Sequence, residues 1–139
     1  MIYDFTVDQV RNELATIINS DPNNTGRVEV NNIDGYAEDS CVYYKDEDGN
    51  PIDFQDHDDY YDPEFVEPVC IIGHWIEHFH SHLKDDPKIR NILKRNSSLR
   101  GLSASAIVFD SDVWSLLAET QRMQDRPGAR WSDIDFSIL

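Results

Sequence analysis

The stretch PVCIIGHWIEHFHSHL, from Pro68 to Leu83, decides most of the predicted fold. Pro68 suits the first turn of a helix, where its missing N–H would have no partner anyway. Apolar residues then recur three and four positions apart, which is the spacing of one face of an α-helix. This stripe consists of Val69, Ile72, Ile76, Phe79 and Leu83. The pattern predicts a helix from Pro68 to about Leu83 that packs the stripe into the core.

Three more helices are predicted, one before this stretch and two after it. Each begins with a residue that favours a helix N-terminus and continues with apolar residues at helical spacing. The predicted starts are Thr6 (with Gln9 in a capping box), Asp86-Pro87, and Asp110 or Ser111. The last of these helices is expected to stop at Pro127-Gly128, because neither residue continues a helix well.

The strand signals lie in the first half of the chain. RVEV, residues 27–30, predicts a short strand, and CVYYKDEDGNPIDF, Cys41 to Phe54, predicts a hairpin that turns around Asp48-Gly49-Asn50. The polar residues that follow, about 53–67, have no apolar periodicity and predict an exposed acidic loop. We therefore expect a single α+β domain over residues 1–139, mostly helical, with about four helices, a β-hairpin and an acidic loop.

Length and composition limit the class of protein. A chain of 139 residues with 40% hydrophobic content can bury roughly two-thirds of its unfolded surface without a metal or a disulfide. No apolar run approaches the roughly 20 residues of a membrane span, and the N-terminus lacks the basic and apolar parts of a signal peptide. We expect a soluble protein of the cytoplasm, without membrane contact, in which Cys41 and Cys70 are buried thiols.

His74, Glu77 and His78 form a His-x-x-Glu-His sequence, the order found in inverzincins. Two imidazoles on successive helical turns can hold zinc, and a carboxylate beside them can take a proton from zinc-bound water. A hydrolytic site also needs a third ligand and a cleft, and the sequence offers no compelling third ligand. A solvated helix face is the simpler interpretation. The alternatives are incidental metal binding on that face and a zinc-dependent hydrolase with His74 and His78 as ligands and Glu77 as base.

The net charge of −15 comes entirely from the first half of the chain. Residues 1–67 hold 18 acidic residues against three basic ones, whereas residues 68–139 hold nine of each. Such acid serves solubility alone in many proteins, but here aromatic residues lie between the carboxylates and could supply contact area for a basic partner. Direct binding of nucleic acid is disfavoured by the same charge. The predicted binding surface consists of Asp56, Asp58, Asp59, Tyr60, Tyr61 and Asp62.

Three segments resemble small uncharacterised accessory proteins of actinobacterial phages and prophages. They are CVYYKDEDGNP, EPVCIIGHWIEHF and LLAETQRMQDRPGARWSDI. In that group a Cys-containing hairpin precedes a P-x-C helix with glycine followed by histidine or arginine, and a Q-x-x-QD-x-G-x-x-W segment closes the domain. The matching positions are Cys41, Pro68, Cys70, Gly73, His74, Gln121, Gln124, Asp125, Gly128 and Trp131. The resemblance implies a phage accessory protein and carries no activity with it.

Together these features predict a non-enzymatic acidic phage-type protein that acts in the host cytoplasm. It would bind a basic host protein and inhibit it by imitating nucleic acid, since carboxylates can stand where phosphates would lie. No cofactor is expected, and a calcium site is disfavoured because DEDGNPIDFQDHDD fails the EF-hand pattern. The alternatives are the zinc-dependent hydrolase and a virion or assembly protein that acts through self-association.

Overall fold

The structure is a computed structural model that describes most of the chain. The described ranges are 4–26, 28–31, 37–40, 42–49, 51–52, 64–95, 99–101, 109–126 and 128–135. Four α-helices lie in these ranges: α1 (Val7–Ser20), α2 (Ile71–Phe79), α3 (Pro87–Arg95) and α4 (Ser111–Gln124). The strands are β1 (Val28–Asn31), β2 (Ala37–Ser40), β3 (Tyr44–Lys45) and β4 (Glu67–Pro68). The predicted class, a mostly helical α+β fold, is confirmed.

Helix α1 begins where the sequence predicts. Thr6 is the N-cap, and its hydroxyl accepts a hydrogen bond from the Gln9 backbone N–H at 3.1 Å. That bond satisfies one of the N–H groups that a helix leaves unpaired at its start. The helix buries one face against the rest of the core, formed by Val10, Leu14 and Ile17.

Helix α2 begins three residues later than the sequence predicts. The backbone N–H groups of Val69 and Cys70 donate to the carbonyls of Tyr43 and Val42, at 2.9 and 3.1 Å, which keeps this part of the chain extended. Pro68 therefore lies in β4 rather than in the helix. Cys70 is the N-cap, and its Sγ accepts from the Gly73 N–H at 3.4 Å. A proline is compatible both with the first turn of a helix and with the edge of a short strand. The sequence alone therefore predicts a helix start at Pro68.

The predicted apolar stripe of this helix is partly wrong at its far end. Helix α2 ends at Phe79, and a 3₁₀ helix, Ser81–Asp85, follows a break at His80. Because the chain turns there, Phe79 is 39% exposed, whereas Leu83 is fully buried from the 3₁₀ helix. The remaining stripe residues, Val69, Ile72 and Ile76, are buried as predicted, and Trp75 and Ile71 join them.

The two C-terminal helices follow their sequence patterns. Helix α3 starts at Pro87, and α4 starts at Ser111 after Asp110. The apolar residues that follow these two starts at helical spacing are all buried: Ile89, Ile92, Leu93, Val113, Leu116, Leu117 and Met123. A 3₁₀ turn, Trp131–Asp133, follows α4 and places Trp131 in the core.

The sheets are small and antiparallel. Strand β1 pairs with β2, from Val28 opposite Ser40 to Asn31 opposite Ala37, so the strand predicted in RVEV is present. The predicted turn after β3 is also present, because Lys45 bridges to Pro51 and the Gly49 N–H donates to the Asp46 carbonyl at 3.1 Å.

The strand that pairs with β3 is not the one that the sequence predicts. Its ladder partner is β4, with Tyr44 opposite Pro68 and Lys45 opposite Glu67. On the other side of β3 the returning chain contributes a single bridge. Cys41, Asn50 and Phe54 of the predicted hairpin lie outside the described residues. Among the described residues, no helix is both long and apolar enough to cross a membrane.

Candidate functional site

The glutamate of the His-x-x-Glu-His sequence is engaged in contacts inside the fold. Glu77 Oε2 accepts a hydrogen bond from the Tyr44 hydroxyl at 3.2 Å and pairs with Lys84 Nζ at 2.7 Å. Burial, and next the charge of Glu77, raise the pKa of the Tyr44 hydroxyl well above its usual range. Tyr44 therefore stays protonated, and its hydroxyl proton is shared between the Gly73 carbonyl at 3.1 Å and the Glu77 carboxylate at 3.2 Å. Glu77 ties α2 to β3 and to the following 3₁₀ helix, which is a structural role.

The two histidines of the sequence face each other across one helical turn. His74 Nδ1 and His78 Nε2 are 3.4 Å apart. His78 is exposed, whereas His74 is half-buried with its ring edge-on to Trp131, 5.0 Å between centroids. Burial, and next the neighbouring His78, lower the pKa of His74. Within the described ranges no third histidine, cysteine or carboxylate joins this pair to make a three-ligand metal group.

The predicted acidic binding surface falls in a part of the chain that is not described. Asp56, Asp58, Asp59, Tyr60, Tyr61 and Asp62 all lie outside the described residues. The residues on either side of that part are described, and both are hydrogen-bonded to β3. The Ile52 N–H donates to the Tyr44 carbonyl at 2.9 Å, and the Val66 N–H donates to the Lys45 carbonyl at 3.0 Å.

Phe65 fixes the second of these attachment points. Its side chain is 6% exposed and lies against the Tyr44 ring, with 5.6 Å between centroids. The Arg90 guanidinium of α3 also lies over the Phe65 ring, 4.9 Å from its centroid. An aromatic ring between a tyrosine and an arginine buries a large apolar area. The acidic loop is therefore anchored to the helical core immediately before β4.

Four exposed carboxylates lie within three residues of Lys45 or Val66 in the sequence, and we call them the acidic surface. They are Glu47, Asp48, Glu64 and Glu67. In the described part of the chain none of them takes part in an ion pair, whereas Glu77 pairs with Lys84 and Glu119 with Arg122, both at 2.7 Å. Val66, which is 53% exposed, lies among them. The acidic surface thus combines unneutralised charge with an exposed apolar side chain.

Two buried glutamines of α4 hold the region behind this surface together. Gln124 Oε1 accepts from the Ile71 backbone N–H at 2.6 Å and from Trp131 Nε1 at 3.0 Å. Gln121 Oε1 accepts from the Leu99 N–H at 2.9 Å, and its Nε2 donates to the Tyr43 hydroxyl at 2.6 Å. We call Gln121, Gln124 and the four groups just named the glutamine hub.

Glycine is required where α2 passes closest to the hub. A Cβ at Gly73 would overlap the backbone carbonyl oxygen of Tyr43, so α2 can lie against this strand only without a side chain there. Gly26 has a positive φ of 67°, and a Cβ there would overlap the Gln124 side chain. Both glycines let the backbone approach a buried side chain or carbonyl that a larger residue would displace.

The motifs on which the phage resemblance depends meet at this hub. Cys70 caps α2, Gly73 packs on Tyr43, and the two glutamines and Trp131 complete the buried contacts. These residues therefore stabilise the fold. The burial of the two glutamines could have been predicted from helical spacing, because Gln121 and Gln124 extend the buried face that begins at Val113 and Leu117.

Comparisons with known proteins found no relative of this chain. No family model, curated protein or solved structure matches the chain.

Proposed function

We propose that this chain is a non-enzymatic phage-type accessory protein that binds a basic protein in the host cytoplasm through its acidic loop and acidic surface. The partner class we propose is a nucleic-acid-binding protein, whose phosphate-binding groove would accept the carboxylates. Occupying that groove would inhibit the partner by competition with nucleic acid.

One observation carries this proposal. The chain enters and leaves the acidic loop at adjacent residues of β3, with Ile52 bonded to Tyr44 and Val66 bonded to Lys45. The carboxylates of the acidic surface, which form no ion pair in the described part of the chain, lie within three residues of Lys45 or Val66 in the sequence. Carboxylates from two separate parts of the sequence, residues 47–48 and 64–67, therefore lie next to segments that are hydrogen-bonded to each other at β3. Concentrated like charge raises the rate at which an oppositely charged partner associates.

The distribution of charge over the chain supports the same proposal. The described carboxylates of the second half include two that pair with basic neighbours, Glu77 with Lys84 and Glu119 with Arg122. Lys45 lies opposite Glu67 in the β3–β4 ladder, but in the described part of the chain no carboxylate of the acidic surface forms an ion pair. Unneutralised carboxylates repel one another in the free protein. A basic partner would relieve that repulsion on binding.

Exposed apolar area at Val66 is a further point in favour of a protein partner. Protein interfaces combine a charged rim with apolar contacts at the centre. Phe65 is buried directly beside it, so the backbone that presents Val66 is held in place.

The experiment is a pull-down from host lysate with three matched forms of the full chain. The first is the wild type, and the second carries Asn at the four aspartates of the loop, Asp56, Asp58, Asp59 and Asp62. The control carries Asn at four exposed aspartates outside the loop, Asp4, Asp85, Asp110 and Asp112. Both variants lose the same charge, so a difference between them reports the location of the acid and not its amount.

We expect the wild type and the control to retain the same basic protein, and the loop variant to lose it. Retention should fall steeply with added salt, because exposed charges are screened over about 8 Å at physiological ionic strength. Duplex DNA added as a competitor should release the partner if the groove is shared. Equal retention by all three forms would contradict the proposal. Self-association of the purified wild type in sedimentation, without any retained partner, would favour an assembly protein instead.

A further inference from the structure

A cleft of about 450 Å³ lies between α1 and α4. Ligand sites in proteins are commonly clefts of about 300–1,000 Å³, lined mostly by apolar side chains with a few polar groups. Val7 of α1 and Leu116 of α4 contribute apolar side chains to the lining, and the polar side chains come from the same two helices. No lining residue belongs to the acidic surface or to the glutamine hub. The cleft is therefore a separate candidate site.

Arg11 brings a poorly paired positive charge to this cleft. Its ion pair within the described residues joins Nη1 to Asp8 Oδ1 at 3.6 Å, which is too long for a hydrogen bond. The Asp8 side chain is 90% exposed, so water screens this pair. Arg11 Nε is buried and has no hydrogen-bond partner among the described residues. The guanidinium is thus not held by other side chains in the described part of the chain, and it is available to an acceptor in the cleft.

The other charged residues of the lining limit the charge that a ligand can carry. Arg122 Nε pairs with Glu119 Oε2 at 2.7 Å, so these two charges largely cancel. Asp112, in the first turn of α4, is exposed and forms no ion pair with a described residue. One negative group on a ligand can pair with Arg11, whereas a second would meet the charge of Asp112. Because like charges repel, the lining favours a ligand with a single negative charge.

We propose that the cleft between α1 and α4 binds a small organic acid with one carboxylate and an apolar chain or ring. The carboxylate pairs with the Arg11 guanidinium, whose planar array of donors matches a carboxylate. The apolar part of the ligand lies on Val7 and Leu116. The side chain of Arg11 is 36% exposed, so a ligand can reach the guanidinium without unfolding the helix.

The test follows the backbone amide signals of the full chain by NMR during titration with three probes of equal carbon number. Octanoate carries one carboxylate, octan-1-ol carries a neutral hydroxyl in its place, and octanedioate carries a carboxylate at each end. We expect saturable shifts with octanoate, concentrated in residues 7–11 and 112–122, which line the cleft. Octan-1-ol should bind more weakly because it cannot form an ion pair with Arg11, and octanedioate because its second carboxylate meets Asp112.

Two single variants test the role of Arg11. Arg11→Gln keeps a long polar side chain and removes the charge. Arg100→Gln removes the same charge from an exposed arginine outside the cleft and is the matched control. We expect the affinity for octanoate to fall about fivefold in Arg11→Gln, the upper end for an ion pair that solvent reaches. Arg100→Gln should bind octanoate as the wild type does, and the spectra of both free variants should match the wild type away from the substituted residue.

Four results would each overturn the proposal. The first is a wild type that shows no saturable shift with octanoate, and the second is a set of shifts centred outside α1 and α4. The third is octanoate binding that is undiminished in Arg11→Gln or equalled by octan-1-ol, because neither leaves a role for the charge. The fourth is octanedioate binding as tight as that of octanoate. None of these results bears on the binding of a basic protein, which is proposed for other residues.

Discussion

The glutamine hub and the acidic surface are both polar, but the fold uses their side chains in opposite ways. Gln121 and Gln124 are 7% and 0% exposed, and each makes hydrogen bonds to groups that are themselves buried. The carboxylates of the acidic surface are exposed and have no ion-pair partner in the described part of the chain. A polar group buried without a hydrogen-bond partner costs free energy, so the hydrogen bonds of the hub are needed for the fold to be stable. Unpaired polar groups outside cost little and remain available to a partner.

The largest expected effect of a single substitution is at Gln124. Gln124→Leu removes the acceptor of two buried donors, the Ile71 N–H and Trp131 Nε1. Each buried donor left without a partner costs about 1–3 kcal/mol, so the free energy of unfolding should fall by about 2–6 kcal/mol. Urea denaturation of the full chain measures it. Gln9→Leu, at an exposed position of α1, is the control and should stay within about 0.5 kcal/mol. Equal losses in both variants would remove the distinction between hub and surface.

A smaller loss of stability is expected at Gly73. An added methyl group would overlap the Tyr43 carbonyl, and forcing extra volume into a packed site costs about 1–3 kcal/mol. In an exposed helix the same change, Gly73→Ala, would instead stabilise the protein by about 0.5–1 kcal/mol. The sign of the change in the free energy of unfolding is therefore decisive. A stabilised variant would show that α2 does not pack closely on the strand.

The next prediction concerns pH. Burial and the neighbouring His78 lower the pKa of His74, so between the lowered value and the unfolded value of about 6.5 the unfolded chain binds more protons. The contribution of His74 to stability should therefore decrease as pH falls below about 6.5. NMR titration should show a midpoint for His74 below that value, and His78→Ala should raise it. His82→Ala should leave it unchanged. A His74 midpoint at or above 6.5 in the wild type would contradict the prediction.

The smallest effect on stability is expected at the acidic surface. Replacing Glu47, Asp48, Glu64 or Glu67 singly with its amide should change the free energy of unfolding by no more than about 0.5 kcal/mol. The reason is that these side chains are exposed and lose no ion pair with any residue that the structure describes. Combining all four changes should leave the fold intact and weaken binding of a basic partner. A loss of several kcal/mol in the combined variant would mean that these carboxylates hold the fold together, as the hub does.

The helices could be predicted well because their signals are local. The Thr6 cap, the proline at the start of α3 and the apolar periodicity of α4 each depend on residues within a few positions of one another. The start of α2 could not be predicted in this way. Pro68 is compatible with a helix and with a strand, and only the pairing of β4 with β3 decides between them.

The candidate site was predicted only in part. The sequence identified the acidic excess and the histidine pair, since charge and i, i+4 spacing are visible in one dimension. It grouped Glu77 with the histidines, whereas the structure pairs Glu77 with Lys84 and Tyr44. The choice of partner for a carboxylate depends on which strand and which turn lie beside the helix. Those neighbours are far apart in the sequence and are set by tertiary packing.

The sequence by itself determined the helical periodicity, the turn after β3 and the concentration of acid in the first half of the chain. Each of these is a property of neighbouring residues or of composition. The tertiary structure alone decided that both ends of the acidic loop attach to one strand, and that two glutamines of α4 satisfy donors on α2, near Leu99 and at Trp131. The physical reason is that a buried donor must find an acceptor wherever packing places one, and packing brings together residues that the sequence keeps more than 50 positions apart, as with Ile71 and Gln124.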